Sequence, residues 1–259
     1  MKIEFDKYHG TGNDFVILDN RDKNYSSLTK QQVAFICNRH FGIGADGLMM
    51  LQHKDGYDFE MVYYNADGAE GSMCGNGGRC LVAFAKFLNI IHDKAHFLAT
   101  DGPHEATIDA ANWVELKMKD VNAIEEHEDH VILNTGSPHY IKWVKTTNEI
   151  NVFDEGRTIR YNEKFGNAGI NVNFVSVQPG AIEVRTYERG VEDETLSCGT
   201  GVTASAIAAF ADATEQQNIS VKTPGGNLSV KFNPVGNSKF EDVWLCGPAS
   251  FVFHGIINL

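Results

Sequence analysis

Two cysteines in this chain precede similar glycine-rich segments. Cys74 lies in SMCGNGGRC (72–80), and Cys198 lies in LSCGTG (196–201). Each segment leads into an apolar run with helical spacing, so each cysteine is predicted to stand at the N-terminus of a buried helix. The helix dipole at that end favours a thiolate over a thiol, and it also favours a bound anion. The pattern therefore predicts two reactive thiols, each beside backbone N–H groups that can bind a ligand.

Matched thiols are suited to moving a proton from one face of a carbon atom to the other. One cysteine would act as thiolate base and the other as thiol acid, while mutual repulsion prevents both from ionising together. Backbone N–H groups at the two helix starts would bind a substrate carboxylate and stabilise the charge that develops as the Cα proton leaves. These N–H groups belong to Gly75, Asn76, Gly199 and Thr200. The chemistry indicated is racemisation or epimerisation without a cofactor, and the pattern does not say which cysteine is ionised at rest. A lysine-bound pyridoxal phosphate stays an alternative that nothing in the sequence calls for.

The remaining cysteines and the histidines do not form a recognisable metal or redox motif. Cys37, Cys80 and Cys246 lie in apolar runs and are predicted to be buried and inert. No Cys-x-x-Cys occurs, and no histidine stands at metal-ligand spacing from a cysteine. No metal site is predicted, and the five thiols are expected to be free.

A glycine-rich segment, GIGADG (42–47), matches the G-x-G-x-x-G pattern of dinucleotide-binding proteins. That fingerprint requires a strand before it and a helix after it. Here a predicted helix precedes the segment and a predicted strand follows it, which is the reverse order. We interpret the segment as a loop between a helix and a strand.

The chain repeats itself at an offset of 123 or 124 residues. Cys198 follows Cys74 by 124 residues, and TGNDFVI (11–17) returns at the same offset as TGSPHYI (135–141). Shorter matches, such as Phe-Gly and Thr-x-Gly, follow in the same order. The repeat predicts two homologous halves with pseudo-twofold symmetry, each carrying one cysteine.

The elements that must position these cysteines are mostly strands. Helices are predicted over 27–40, with Thr29 as N-cap, weakly over 151–159, and after each cysteine. Strands are predicted at 2–9, 13–20, 47–52, 58–65, 95–100, 104–109, 112–118, 130–134, 139–145, 171–177, 181–187, 218–223, 227–232, 242–246 and 249–254. We expect an α/β fold with mixed sheets, each half a sheet curled around one central helix. The polar stretch Lys119–Glu128 is the expected join.

Composition excludes several classes of partner. The chain has 259 residues and a formal net charge of −12, which argues against nucleic acid and anionic membrane surfaces. Its start, MKIEFDKYHG, has no apolar signal core, and no run is long enough to span a membrane. A cytoplasmic location is predicted.

The sequence resembles the diaminopimelate epimerase family along nearly its whole length. The motifs that carry the resemblance are HGTGNDF (9–15), GADG (44–47), YYNADG with MCGNGGRC (63–80), GSPH (136–139), GINVNF (169–174), YERGVEDETLSCGTG (187–201) and TPGG (223–226). The resemblance implies interconversion of LL- and meso-diaminopimelate, on the route to lysine and peptidoglycan, without cofactor. It also implies a homodimer whose chains each hold an active site in the cleft between two lobes. The lobes would be 1–118 with 248–259, and 119–247.

The resemblance also assigns roles to individual residues. Cys74 and Cys198 match the acid–base pair, and His139 and Glu188 match residues that tune the thiols. The positions that match substrate-binding residues are Asn13, Asn65, Gly75, Asn76, Asn171, Glu188, Arg189, Gly199 and Thr200. Two positions depart from the usual pattern: Gly47 replaces a glutamine, and Ser137 replaces an asparagine. Both departures bear on substrate affinity and specificity.

Three other functions are compatible with a cysteine pair. A proline-racemase-like enzyme shares the chemistry and the fold, but that family typically has histidine where this chain has Asn76. A non-catalytic relative would have no reason to retain both cysteines. A redox switch could join Cys74 to Cys198, although we interpret such a bond as inactivation. A panel of proline, hydroxyproline and diaminopimelate separates the enzymatic alternatives.

Overall fold

The computed structural model describes all 259 residues. The chain forms two compact units, which we describe separately. The first unit comprises Met1–Leu116 and Gly247–Leu259, and the second comprises Lys117–Cys246.

Strands outnumber helices in both units. The strands are β1 (Lys2–Gly10), β2 (Asn13–Asp19), β3 (Gly47–Gln52), β4 (Phe59–Asn65), β5 (Lys94–Ala99), β6 (Gly102–Ile108), β7 (Trp113–Lys117), β8 (Ile124–Glu126), β9 (His130–Asn134), β10 (Pro138–Trp143), β11 (Asn171–Gln178), β12 (Ala181–Glu188), β13 (Asp193–Thr195), β14 (Gln217–Thr223), β15 (Gly226–Gly236), β16 (Lys239–Pro248) and β17 (Ser250–Asn258). The α-helices are α1 (Lys30–Cys37), α2 (Gly75–Phe87), α3 (Val152–Arg160) and α4 (Gly199–Ala209), and one 3₁₀ turn spans Thr147–Glu149. None of the α-helices has the length and apolar character that a membrane crossing requires.

The two units share one strand topology. In the first unit, β1–β2 and β3–β4 are antiparallel pairs, β2–β3 and β4–β5 are parallel, and β5–β6–β7 is an antiparallel meander. In the second, β9–β10 and β11–β12 are antiparallel, β10–β11 and β12–β14 are parallel, and β14–β15–β16 is again a meander. The internal duplication and the mixed α/β class predicted from the sequence are confirmed.

A buried helix lies at the centre of each unit. In α2 every residue from Gly75 to Ala85 is buried, and α2 packs against β1, β2, β3, β4 and β6. In α4 all residues except Thr200 and Ala209 are buried, and α4 packs against β9–β12, β14 and β15. Because nearly all of each helix is buried, it must be covered on all sides, which explains why each sheet curls around its own helix.

Helix α1 begins as predicted but is shorter. Thr29 caps it: the Thr29 hydroxyl accepts from the Gln32 N–H, while Gln32 Oε1 accepts from the Thr29 N–H at 2.9 Å. Val33, Ile36 and Cys37 form its buried face. Residues 42–46 form a loop between α1 and β3, and Gly47 begins β3, so a helix precedes the segment and a strand follows it as predicted.

Two short strands were not predicted. The stretch Lys119–Glu128, expected to be a polar join, contains β8, which pairs with β9, and an isolated bridge from Val121 to Phe240. Strand β13 lies in the segment before Cys198 and pairs with β12. Both strands are three residues long and polar, so neither shows the alternation that identifies a strand in sequence.

Candidate active site

Cys74 is the N-cap residue of α2 in the first unit. Its backbone is extended (φ −115°, ψ 122°), its side chain makes no capping bond, and it is half-buried. The Cys74 thiol donates to Asn13 Oδ1 across 3.6 Å. The sulfur thus stands at a helix N-terminus with an amide oxygen beside it.

The orientation of the Asn13 amide is fixed by its neighbours. Asn13 Nδ2 donates to Asp46 Oδ2 at 2.7 Å, and Asn13 Oδ1 accepts from Asn76 Nδ2 at 3.2 Å. Asn76 is oriented in turn by Arg79, whose guanidinium donates to Asn76 Oδ1 at 3.0 Å. Because a carboxylate can only accept, the amide nitrogen must face Asp46 and the amide oxygen must face the thiol.

Charged side chains anchor Asp46. Arg39 lies 2.7 Å from Asp46 and 2.7 Å from Asp14, and the buried Lys7 ammonium lies 2.7 Å from Asp14. Burial alone would raise the pKa of Asp14, but hydrogen bonds from Arg39 and Lys7 outweigh burial and lower that pKa to about 2. The network keeps the Asp14 carboxylate ionised and rigid close to the first helix start.

Cys198 is the N-cap residue of α4 in the second unit. Its backbone resembles that of Cys74 (φ −110°, ψ 110°), and its side chain likewise makes no capping bond. It is more buried, at 7% exposure. Its sulfur lies 3.5 Å from the Thr200 hydroxyl, which in turn lies 2.9 Å from His139 Nε2.

The tautomer of His139 follows from Asn173. Asn173 Nδ2 donates to the Tyr140 carbonyl at 3.2 Å and lies 3.1 Å from His139 Nδ1, while Asn173 Oδ1 accepts from the Thr186 hydroxyl at 2.9 Å. A carbonyl can only accept, so the amide nitrogen faces His139 and Nδ1 of the imidazole is the acceptor. Burial, with a contribution from the charge of Arg189, lowers the pKa of His139 to about 3. The imidazole is therefore neutral, with its proton on Nε2.

A second polar cluster in the same unit surrounds Asn171. Strand pairing places Asn171 opposite His139. Asn171 Nδ2 donates to the Ser137 hydroxyl at 2.8 Å, and its Oδ1 accepts from the Arg189 N–H at 2.9 Å. The Arg189 guanidinium lies 3.3 Å from Ser137 Oγ, and Glu188 accepts from the Thr195 hydroxyl at 2.9 Å.

Comparison with known proteins identifies the family. The family model described as "Diaminopimelate epimerase" matches residues 5–124 and again residues 131–252. The chain belongs to the diaminopimelate epimerase family. The two matches correspond to the repeat seen in sequence and in topology, and membership makes the protein an isomerase of the epimerase class.

Curated members of the diaminopimelate epimerase family match over nearly their whole length. The diaminopimelate epimerase of Flavobacterium psychrophilum is 51% identical over 97% of this chain and 98% of its own. That of Chlorobaculum tepidum is 41% identical over 96% and 99%. Among solved structures, a Bacillus anthracis phenazine biosynthesis protein of the PhzF family has a TM-score of 0.79 at 13% identity, with full coverage of both chains. A hydroxyproline epimerase from Agrobacterium vitis, with bound trans-4-hydroxy-L-proline, has a TM-score of 0.73 at 13% identity, covering 100% of this chain and 93% of its own. Such low identities show a shared fold.

The structure explains one departure from the diaminopimelate epimerase pattern. A Cβ at Gly47 would lie 2.5 Å from the Tyr63 ring and 2.6 Å from the Tyr64 carbonyl oxygen. The Tyr63 ring therefore occupies the space that a side chain at position 47 would need. Asn65 pairs directly with Gly47 in the β3–β4 register, and it is exposed at the end of β4.

The remaining cysteines match their predicted character. All five are free thiols, and Cys37, Cys80 and Cys246 are buried. Burial raises the pKa of Cys37 and of Cys80 to about 12, so neither ionises near neutral pH. No group of three or more histidine, cysteine and acidic side chains is arranged to hold a metal ion.

The structure adds residues that sequence patterns alone did not single out. Asp46 and Asn173 lie in the motifs GADG (44–47) and GINVNF (169–174), but the sequence assigns neither of them a role. Arg79 lies inside the glycine-rich motif 72–80, and its bond to Asn76 is visible only in the structure. The residue type of Asn173 could have identified it. Asparagine is rare in strands, and a buried asparagine needs a polar partner.

Proposed function

We propose that the protein interconverts LL- and meso-diaminopimelate by acid–base catalysis from Cys74 and Cys198, without a cofactor. The observation that carries this proposal is the matched position of the two sulfurs. Each half of this chain that the family model matches has one cysteine as the N-cap of its central buried helix. Such a position promotes ionisation of a thiol and leaves the first backbone N–H groups of the helix available to an anion.

The two cysteines together account for both proton transfers of the reaction. One thiolate takes the Cα proton, the electron pair delocalises into the substrate carboxylate, and the other thiol protonates the opposite face of Cα. The N–H groups at the helix starts would hold that carboxylate and stabilise the developing charge. They belong to Gly75, Asn76, Gly199 and Thr200.

The remaining site residues are proposed to bind the rest of the substrate. Glu188 is suited to an ammonium group, and Arg189 offers a planar fork for the distal carboxylate. The amides of Asn13, Asn65 and Asn171 supply hydrogen bonds to the two amino-acid heads. His139 and Glu188 tune the thiols. We assign 1–118 with 248–259 to one lobe and 119–247 to the other.

The test is conversion of pure LL-diaminopimelate in deuterated buffer with no added cofactor, followed by chiral separation. We expect meso-diaminopimelate to form and deuterium to enter at one Cα. Label that enters only after pyridoxal phosphate is supplied would overturn the mechanism. Proline and trans-4-hydroxyproline, run in parallel, should not be converted; their turnover in place of diaminopimelate would favour a proline-racemase-like enzyme.

A homodimer in the cytoplasm completes the proposal. Strand β17 pairs with β1 alone, and its large apolar side chains are about half exposed: Phe251, Val252, Phe253 and Ile256. An exposed apolar edge strand is a ready surface for a second copy. We expect the purified protein to sediment as a dimer and Val252→Lys to shift it toward monomer, whereas Val177→Lys, at an exposed valine of the second unit, should not. A wild-type monomer would contradict the assignment.

A further inference from the structure

The turn between β12 and β13 begins with Arg189, which is proposed above to bind the distal carboxylate of the substrate. Glu188, the residue before it, still pairs with Asp193 of β13 and accepts from the Thr195 hydroxyl. Residues 189–192 lie outside the ladder. Strand pairing therefore fixes Glu188, whereas the position of Arg189 depends on how this turn is held.

The turn lies in a connection that is one residue longer than its counterpart in the first unit. Nine residues separate Tyr64 from Cys74, and ten separate Tyr187 from Cys198. The longer connection contains Glu192, whose side chain folds back onto the turn itself. Its carboxylate accepts from the backbone N–H two residues earlier at 3.0 Å.

Glu192 has a backbone conformation that favours glycine. Its φ of 59° lies in the left-handed region, where a side chain is unfavourable and a glycine is tolerated. The connection in the first unit has a glycine in this region, Gly68, with a φ of 79°. A residue with a side chain persists in such a conformation when the surrounding contacts hold it there. The contacts of the Glu192 carboxylate are of that kind.

The Glu192 carboxylate accepts hydrogen bonds from several parts of the second unit. Its Oε1 accepts from the Gly190 N–H and lies 3.2 Å from the Arg160 guanidinium. Its Oε2 accepts from the Tyr187 hydroxyl at 3.3 Å, and the Tyr161 side chain also donates to the carboxylate. Burial alone would raise the pKa of Glu192, but these donors and the Arg160 charge outweigh burial and lower that pKa. The carboxylate is therefore ionised at neutral pH.

Arg160 contacts a second segment that holds Arg189. It is the last residue of α3, and its side chain is only 10% exposed. A Cβ at Gly169 would lie 2.0 Å from Arg160 Nη1, so the guanidinium packs directly on the Gly169 backbone. The adjacent Ala168 carbonyl accepts from the Arg189 guanidinium at 2.9 Å. Arg160 thus joins the turn to the segment that orients the Arg189 side chain.

We infer that Glu192 and Arg160 are positioning residues for Arg189, and that they thereby set the affinity for a substrate with a carboxylate at its far end. The inference rests on the proposed function, which gives Arg189 that ligand. Glu192 closes the turn, and Arg160 connects it to the segment before β11. Neither residue is placed in contact with the substrate. Because the Arg189 fork is ordered before the substrate arrives, less conformational entropy is lost on binding.

A positioning role and a purely structural role predict different kinetics. The distal carboxylate takes no part in the proton transfers, so its contacts are the same in the ground state and in the transition state. A change that releases Arg189 should therefore raise KM and leave kcat nearly unchanged. A change that only destabilises the fold would reduce the amount of active enzyme, which lowers the apparent kcat and leaves KM unchanged.

Glu192→Gly tests the inference, because glycine adopts the left-handed backbone but has no carboxylate. We expect KM for LL-diaminopimelate to rise about tenfold and kcat to change by less than about threefold. Asn237→Gly is the matched control. Asn237 also has a positive φ (52°), but it lies in the exposed turn between β15 and β16, so this variant should keep the wild-type KM. A wild-type KM in folded Glu192→Gly would overturn the inference.

A double substitution tests the link between Arg160 and Glu192. Arg160→Met keeps an unbranched side chain but removes the guanidinium, and it should also raise KM. If Arg160 acts through Glu192, the combined variant should raise KM by less than the product of the two single effects. Single effects that multiply fully would contradict the link.

Two competitive inhibitors locate the effect on the ligand. 2-Aminopimelate has a distal carboxylate, and 2-aminoheptanoate has a methyl group in its place. Glu192→Gly should weaken inhibition by 2-aminopimelate about tenfold and change inhibition by 2-aminoheptanoate less than about twofold. Equal weakening of both would place the effect at the reacting head of the ligand and contradict the role assigned to Arg189.

Hydrogen exchange separates this inference from the proposed function, because it needs no substrate. The Arg189 N–H donates to Asn171 Oδ1 at 2.9 Å, so its exchange rate reports the order of the turn. We expect that rate to be about tenfold higher in Glu192→Gly than in the wild type. An unchanged rate would overturn the inference whatever the enzyme acts on. Failure of the wild type to epimerise diaminopimelate would instead refute the proposed function.

Discussion

The starts of α2 and α4 are built on the same strand register but have different chemistry beneath them. In the first unit, Tyr63 pairs with Met49, and Phe15 lies in edge-to-face contact with Tyr63. In the second, Thr186 pairs with Asn173, and Asn173 is bonded to His139. Duplication has kept the backbone that places the sulfur and changed the side chains beneath the helix start.

The asymmetry extends to the polar positions around each sulfur. At the repeat offset, Asn13 corresponds to Ser137, Gly47 to Asn171, Asn65 to Glu188 and Asn76 to Thr200. Each pair occupies the same position in its own unit, yet no pair carries the same residue. A substrate whose carboxylate and ammonium groups are arranged asymmetrically would need different partners at its two ends. These pairs supply them.

The largest expected effect comes from removing either sulfur. Cys74→Ser and Cys198→Ser should each lower the epimerisation rate by about 10³-fold or more, because a serine hydroxyl is a poor acid and a poor base near neutral pH. Substrate binding, measured by calorimetry, should change little. Cys246→Ser, at a buried cysteine, is the control and should keep most activity. Full activity in either active-site variant would refute the two-thiol mechanism.

The next effect comes from making the second unit resemble the first. His139→Phe replaces the imidazole with the residue found at the equivalent Phe15, and it removes the donor to Thr200. We expect kcat/KM to fall about 10- to 100-fold at neutral pH. It should recover partly as pH rises, because the Cys198 thiol then ionises without the donor. A uniform loss at all pH values would indicate a purely structural role.

His139 in the second unit and Asp14 in the first should lose their contributions to stability in different pH ranges. The pKa of His139 is about 3 in the folded protein and about 6.5 when unfolded, so the unfolded state binds the extra proton first. Stability present above pH 6.5 is lost as pH falls, by about 2 kcal/mol at pH 5. Asp14, with a pKa of about 2, loses its contribution only below its unfolded value of 3.8. Urea unfolding of His139→Phe should show a flatter pH dependence between 6.5 and 5; an unchanged slope would contradict the neutral imidazole.

The smallest expected effect is a difference in unfolding free energy between alanine substitutions at two equivalent glycines. A Cβ at Gly201 would lie 2.4 Å from Asn173 Oδ1, an atom held by hydrogen bonds, whereas one at Gly77 would lie 3.0 Å from the flexible Met49 thioether. Gly201→Ala should cost about 2 kcal/mol of unfolding free energy. Gly77→Ala should cost under about 1 kcal/mol, because helix propensity offsets the contact. Thermal unfolding measures both, and equal losses would show that the Asn173 amide is not rigid.

The sequence predicted the repeat, the helix starts and the buried character of three cysteines, because each leaves a local pattern. The environment of the sulfurs could not be predicted, because it depends on amide orientation. Asn13 faces Cys74 through its oxygen only because Asp46, 33 residues away, takes its nitrogen. The sequence also could not show why position 47 is a glycine, because the Tyr63 ring that excludes a side chain there comes from a neighbouring strand.

Strand β17 also has a consequence for how the chain folds. It pairs with β1 along nearly its whole length, from Lys2 opposite Asn258 to His9 opposite Ser250. During synthesis, all of Lys117–Cys246 leaves the ribosome before β17 does, so the second unit can fold while the first still lacks a strand. The first unit therefore begins to form first but is completed last. Until β17 pairs with β1, the edge of β1 is uncovered and can pair with a wrong strand.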